Sequence, residues 1–422
     1  MAIATTSAIP TLEAEPEDVG ISSQRLSRLT RVIQQHVDAR TIPGAITLVA
    51  RHDKLVHFEM YGNMDDEAGK PMQADTLFRM YSMTKPIASV GLMTLYEEGR
   101  FQLDDPASKF LPEFNGLKVF AGGTADKYET RDPAREMTVR DLLMHTSGLA
   151  NSTMPGQPAT TIGELYTRAD ARSMRADNET VADLVTKLGQ LPLAFDPGTQ
   201  WLYAVSTDVV GRLCEVLSGQ PLDRFLSERI FQPLGMHDTS FWAPEDQQHR
   251  LSACYRPSGP GASDYVLQDA PSSSPFARPK KFLSGVGGLV STAHDYLRFT
   301  RMLARGGELN GARVLGPRTV QLMAMNHLPG GADIASLAIG TVGARTFGYG
   351  FGLGFAVLQD PTRSQTLGTP GEFYWDGAAS TMFFISPKDD LIAIFLTQVM
   401  GANQVQQFGR KLRVCVYQAL LD

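Results

Sequence analysis

The chemistry of this sequence begins at Ser82-Met83-Thr84-Lys85. A serine hydroxyl is a poor nucleophile until a neighbouring group accepts its proton, and a lysine three residues further on lies on the same helix face, within reach of the serine oxygen. The segment opens a run from Met83 to about Glu98 that carries Ile87, Val90, Leu92, Met93, Leu95 and Tyr96, apolar or small around nearly its whole circumference. Such a helix is expected to be buried. At its N-terminus the unpaired backbone N–H groups and the helix dipole favour negative charge developing beside Ser82. Spacing alone is close to chance in a chain of 422 residues. Its place at the head of the most apolar helix is what sets this serine apart from a plain N-cap with a surface lysine.

Two further segments present polar groups to a cleft. Tyr203 follows the Pro197-Gly198 turn and precedes a helix that opens at Ser206, so its phenol could face a pocket, although a tyrosine close to Trp201 is more often packing. In Tyr374-Trp375-Asp376-Gly377-Ala378, read as the start of a strand, the glycine lets a ligand approach the backbone, and the Ala378 N–H could serve as an oxyanion donor; a turn glycine beside a core tryptophan is the competing reading. His145 and Ser147, two residues apart in His145-Thr146-Ser147-Gly148-Leu149, are the remaining His–Ser pairing, with His145 as the alternative base. No G-x-S-x-G surrounds any serine, and the eight histidines show no metal-ligand spacing.

The elements that must position these residues follow from periodicity. A helix is predicted from Ser22 to about Val37, then an antiparallel hairpin of Ala45–Ala50 and Leu55–Tyr61. Strand texture returns only late, at Gly350–Leu358, Ala379–Ile385 and Leu391–Gln398, before a last helix over about Ala402–Leu421. Between them, from about Phe101 to Phe282, short helices such as Val139–Met144 and Ser206–Gly219 alternate with polar loops, two of them long, at about Asn151–Asn178 and Pro257–Pro279. The expectation is an α+β fold: residues 1–105 and 283–422 build one α/β domain whose sheet draws on both termini, and residues 106–282 form a mainly helical domain.

Composition narrows the partners. With 43% hydrophobic and 20% charged residues the chain reads as a soluble globular protein, and a net charge of −6 without a basic stripe gives nucleic acid no electrostatic foothold. No apolar run approaches the length of a membrane span, and residues 1–20 are acidic and lack the charged leader and apolar stretch of an export signal. Three cysteines, Cys214, Cys254 and Cys415, fit reduced cytoplasmic thiols better than disulfides or zinc.

Taken in order, Ser82-Met83-Thr84-Lys85, Leu103-Asp104-Asp105-Pro106, Leu142 to Leu149, Pro197-Gly198 leading to Tyr203, Gly287-Gly288-Leu289-Val290-Ser291-Thr292 and Gly350-Phe351-Gly352-Leu353-Gly354 resemble the serine β-lactamase and penicillin-binding-protein superfamily. More narrowly, the chain resembles the class C β-lactamase-like group that includes the family VIII carboxylesterases. The resemblance implies an antiparallel sheet flanked by helices beside a helical domain, with the site between them. It implies Ser82 as the acylated nucleophile, Lys85 and Tyr203 as the general-base pair, the N–H groups of Ser82 and Ala378 as the oxyanion hole, and no cofactor. Trp375-Asp376-Gly377 takes the place of a Lys-Thr-Gly motif, so an apolar wall replaces a cation that would meet a substrate carboxylate. Tyr203-Ala204-Val205 lacks the asparagine of the usual Tyr-x-Asn. Both departures favour a small, uncharged ester over a penicillin or peptide terminus. A β-lactamase or D-amino-acid peptidase, an acyltransferase to an alcohol, and a non-catalytic binding relative are the alternatives.

Overall fold

The computed structural model describes residues 9–152, 160–174, 178–340, 342–343 and 346–422, with the backbone alone at 402–406. Helix α1 (Ser23–Asp38) starts where Ser22 accepts the Arg25 N–H at 3.2 Å, and it buries Leu26, Leu29 and Ile33 along one stripe. Strands β1 (Gly44–Arg51) and β2 (Lys54–Asp65) form the predicted hairpin, closed through His52 and Asp53 in left-handed conformation. A two-residue strand, β3 (Lys70–Pro71), ends that edge.

The other neighbour of β1 is Leu391–Thr397, almost the end of the chain, paired antiparallel with Leu48 opposite Ile394. The sheet continues through Met382–Ser386, Phe373–Asp376, Ala356–Leu358 and Tyr349–Phe351 to give eight strands, all antiparallel. Every residue of β1 is buried, because helices cover both faces. On one face Val49 and Phe395 meet α1 and the C-terminal helix Ala402–Tyr417; on the other Leu48 and Ile394 join a larger apolar cluster that contains helix Ala293–Ala304 and α2 (Thr84–Glu97). Burial on both sides explains why Ala-Ile-Thr-Leu-Val-Ala reads as a run rather than as an alternation.

The stretch between the two halves of the sheet carries α3 (Val139–Met144), α4 (Thr161–Arg168), α5 (Val181–Leu188) and α6 (Ser206–Ser218). Helix α6 ends at Gly219 in the left-handed cap, as its sequence predicts. Its Cys214 lies against the Ala88 carbonyl, so α6 seats on α2. All three cysteines are free and buried. Among the described residues no helix is long and apolar enough to cross a membrane.

Four expectations need correction. The stretch read as short helices and polar loops, without strand runs as clear as those at either end, also contains two hairpins, Val119–Thr124 with Lys127–Arg131 and Cys254–Pro257 with Tyr265–Asp269. The single strand expected over Gly350–Leu358 is two, because the chain reverses at Gly354 with φ 100°. The strand expected from Ala379 begins at Met382, because Gly377–Thr381 is a turn with Ser380 left-handed at φ 67°. Trp375 and Asp376 therefore close one strand instead of opening another. In the long segment Asn151–Asn178, α4 occupies the middle, while 153–159 and 175–177 lie outside the described residues.

Candidate active site

Ser82 lies in one 3-10 turn, Tyr81–Met83, that runs directly into α2. The residue before it, Tyr81, has φ 44°, a left-handed conformation that a bulky side chain adopts only when its surroundings hold it there. Several contacts do so. The Met80 N–H donates to the Leu289 carbonyl at 2.9 Å and the Tyr296 hydroxyl to the Met83 carbonyl at 2.9 Å. The Tyr81 ring meets Phe276 edge-on, with centroids 5.6 Å apart, so the segment after Tyr265–Asp269 forms a wall beside the serine.

From Thr84 to Leu95 every residue of α2 is buried, including Lys85, which is 2% exposed. Its Nζ lies 3.0 Å from Ser82 Oγ and donates to the Val286 carbonyl at 2.9 Å. Burial pushes the Lys85 ammonium down to about 7, against the opposing pull of Asp208 and Asp376. Near neutrality much of this lysine is therefore amine, with one N–H engaged by Val286 and a lone pair free to face the serine.

Tyr203 is brought to the same place. Lys85 Nζ stands 4.3 Å from the centre of its ring, and the buried hydroxyl has no hydrogen-bond partner among the described residues. Burial raises the phenol well above its ordinary value, and the neighbouring Ser82 and Trp375 only partly offset this. Tyr203 is thus a neutral phenol at any ordinary pH. Around it stand Trp201, stacked at 5.9 Å and 13°, His145 at 4.9 Å and Trp375 at 5.4 Å, with Phe351 closing the box against Trp375 at 5.3 Å. The Trp375 indole N–H is buried and has no partner among the described residues, and the same holds for His145 Nδ1.

Within the predicted substrate group, Trp375 points toward Tyr203. Alternation sends Tyr374 the other way, where the Arg413 guanidinium covers it at 4.3 Å. Asp376 is held up at about 6 by burial, with Arg413 as the larger counter-charge and Lys85 as the smaller. Gly377 comes back under the serine turn: a Cβ there would lie 2.4 Å from the Met80 carbonyl oxygen. Its neighbour Ala378 is exposed, and the Ala378 N–H finds no acceptor among the described residues. Ser82, in the first turn of its helix, likewise has an N–H without a helical partner.

His145 is close but not arranged as a base toward a serine. It caps α3 in left-handed conformation behind Tyr203, and burial with the Lys85 charge pushes it well below its ordinary value. Ser147 pairs with Ser206 at 2.8 Å instead. Sequence reasoning missed Asp208, a fully buried carboxylate that accepts the Ser284 hydroxyl at 2.7 Å, the Val286 N–H at 3.0 Å and the Ser173 hydroxyl. The available signal was an aspartate five residues after Tyr203 whose neighbours Val209 and Val210 lie on the buried stripe of α6.

A family model described as beta-lactamase matches residues 29–418. The chain belongs to the beta-lactamase family. Within it, the chain is 36% identical over 370 residues to Protein Rv1367c of Mycobacterium tuberculosis, covering 87% of this chain and 88% of that protein. It is 31% identical over 417 residues to Esterase EstB of Burkholderia gladioli, covering 93% and 95%. Among solved structures it is similar to EstCE1, described as a hydrolase with promiscuous acyltransferase activity, with TM-score 0.77, 26% identity and coverage of 93% and 99%. The antiparallel sheet flanked by helices is the beta-lactamase and transpeptidase-like fold.

Proposed function

We propose that this chain is a carboxylesterase that cleaves short-chain carboxylic esters through an acyl-enzyme on Ser82. The observation that carries this reading is the 3.0 Å approach of the buried Lys85 amine to Ser82 Oγ. Likeness to an esterase of the same family over nearly the whole chain supports the ester as substrate class. The aromatic wall of Trp375, Tyr203 and Phe351, with Trp375 where a Lys-Thr-Gly motif has its lysine, supports a small, uncharged ester over a β-lactam carboxylate.

Lys85 takes the Ser82 proton as Oγ attacks the ester carbonyl carbon. Negative charge moves to the carbonyl oxygen, where the N–H groups of Ser82 and Ala378 receive it. As the intermediate collapses, the carbon–alkoxide bond breaks and the alcohol departs with the proton from Lys85, passed through the Tyr203 phenol. Water then enters, gives a proton to Lys85 and attacks the acyl carbon; the carbon–Oγ bond breaks, Lys85 returns that proton to Oγ, and the acid leaves with Ser82 restored. Because burial keeps Tyr203 a neutral phenol, its role here is to relay a proton while Lys85 is the base. The site lies between an α/β domain of residues 1–105 and 283–422 and a helical domain of residues 106–282. Unpaired cysteines are consistent with the reducing cytoplasm as its compartment.

Hydrolysis of a short-chain p-nitrophenyl ester by the wild type and its loss in Ser82→Ala test the reading. Wild-type turnover by the alanine variant would overturn it. A second reading, transfer of the acyl group to an alcohol, is favoured by the acyltransferase activity of EstCE1 and by the apolar box, which suits an alcohol better than water. Ester product formed from an added alcohol would reveal it.

A further inference from the structure

Asp208 occupies an unusual position for a carboxylate. It is wholly buried at the first turn of α6, and its described hydrogen-bond partners are all uncharged: the hydroxyls of Ser284 and Ser173 and the N–H of Val286. A buried anion without a bonded cation is costly unless a counter-charge stands nearby. The counter-charge here is Lys85, reached through the backbone of one residue, Val286. Asp208 Oδ1 holds the Val286 N–H at 3.0 Å, and the carbonyl of that same residue accepts Lys85 Nζ at 2.9 Å. The side chain that fixes Val286 therefore also fixes the direction of the amine. Through Oδ2 it ties down Ser173, which sets Met174 against Gly287: a Cβ on Gly287 would meet the Met174 sulfur at 2.8 Å.

We infer that Asp208 is a positioning residue for the base, holding Lys85 toward Ser82 through Val286 and setting a negative charge beside the amine. The inference rests on the reading of Lys85 as the base that activates Ser82. The titratable and charged groups facing Lys85 among the described residues are Tyr203 and His145 on the helical side, Asp376 on the sheet side and Asp208 on α6. Tyr203 and His145 are neutral near pH 7, and Asp376 is drawn first toward Arg413. Asp208 exerts the largest upward pull on Lys85. Taking its charge away makes Lys85 easier to deprotonate, so the acid limb of Ser82 reactivity moves to lower pH.

The test is the rate at which a fluorophosphonate phosphonylates Ser82 in the full chain, followed by mass from pH 5 to 9. In that step the Oγ–P bond forms, the P–F bond breaks, fluoride leaves and the serine proton passes to Lys85. The wild type is expected to lose rate as pH falls through about 7. In Asp208→Asn, whose amide oxygen can still accept from Val286, the midpoint is expected about one unit lower, the scale of a removed neighbouring charge. Burial raises the Asp208 carboxyl and the Ser284 hydroxyl opposes this, so Ser284→Ala lets the carboxylate protonate more readily and is expected to move the midpoint the same way by less. It decides the matter should Asp208→Asn not fold. A uniform loss of rate with the midpoint unmoved in the folded variants would overturn the inference and leave Asp208 a structural residue. An unlabelled wild type would instead remove Ser82 as nucleophile, and this inference with it, a result visible before any variant is made.

Discussion

Gly377 packs directly beneath Met80: a Cβ added to the glycine would stand 2.4 Å from the Met80 carbonyl oxygen and 2.2 Å from Thr381 Oγ1. Two chain segments some 300 residues apart are thereby locked together, one carrying Ser82 and the other Ala378. Gly377→Ala is expected to push them apart and displace the Ala378 N–H from the oxyanion position. Esterase turnover should fall about 10²-fold, the scale for loss of one oxyanion donor. Turnover near wild type in a variant whose thermal unfolding shows the strain would remove Ala378 from the oxyanion hole.

The pH profile carries the sign of the base. If Lys85 acts as the amine, with burial bringing its ammonium down to about 7, kcat/KM should fall as pH drops through that value and level off above it. A flat profile between pH 6 and 8 would mean that another group takes the serine proton. Lys85→Met, which keeps the stem and removes the amine, should lower turnover by roughly 10²-fold or more.

For Tyr203 the phenol should matter more than the ring. Tyr203→Phe keeps the stacking with Trp201 and the face presented to Lys85, so substrate affinity should change little. Turnover should fall by about 10²-fold, as expected when a proton relay is lost. A rise in KM with kcat preserved would recast Tyr203 as a binding group.

Met174 offers a handle on specificity. It is 37% exposed and lies against Gly287, beside the Val286 peptide that holds Lys85. Met174→Ala should widen the entrance, improving kcat/KM for bulky esters relative to acetate by about 10-fold, the low end of what one methylene in an apolar contact is worth. An unchanged ratio across a graded ester series would place Met174 away from the substrate path.

Much of this was legible in the sequence because it rests on periodicity and on local spacing. Helix α2, the β1–β2 hairpin and the late strands all announce themselves by apolar runs. The hairpin Val119–Thr124 with Lys127–Arg131 did not, because it contains Gly122 and Gly123, lies mostly exposed and needs no apolar alternation. Ser82 and Lys85 were found together because one helical turn joins them. Asp208 was not, because its meaning depends on Val286, 78 residues away, and an aspartate in the first turn of a helix is ordinarily explained by the dipole alone.

The pairing of β1 with Leu391–Thr397 has a consequence for biosynthesis. Ser82 and Lys85 emerge early from the ribosome, yet the central sheet beside them lacks a middle strand until residue 397 has been made, with Ala45 waiting for Thr397. Such distant pairings form late and leave an open strand edge in the meantime. A nascent chain that stops before residue 391 therefore leaves β1 without one of its two neighbours and presents that strand edge to other chains.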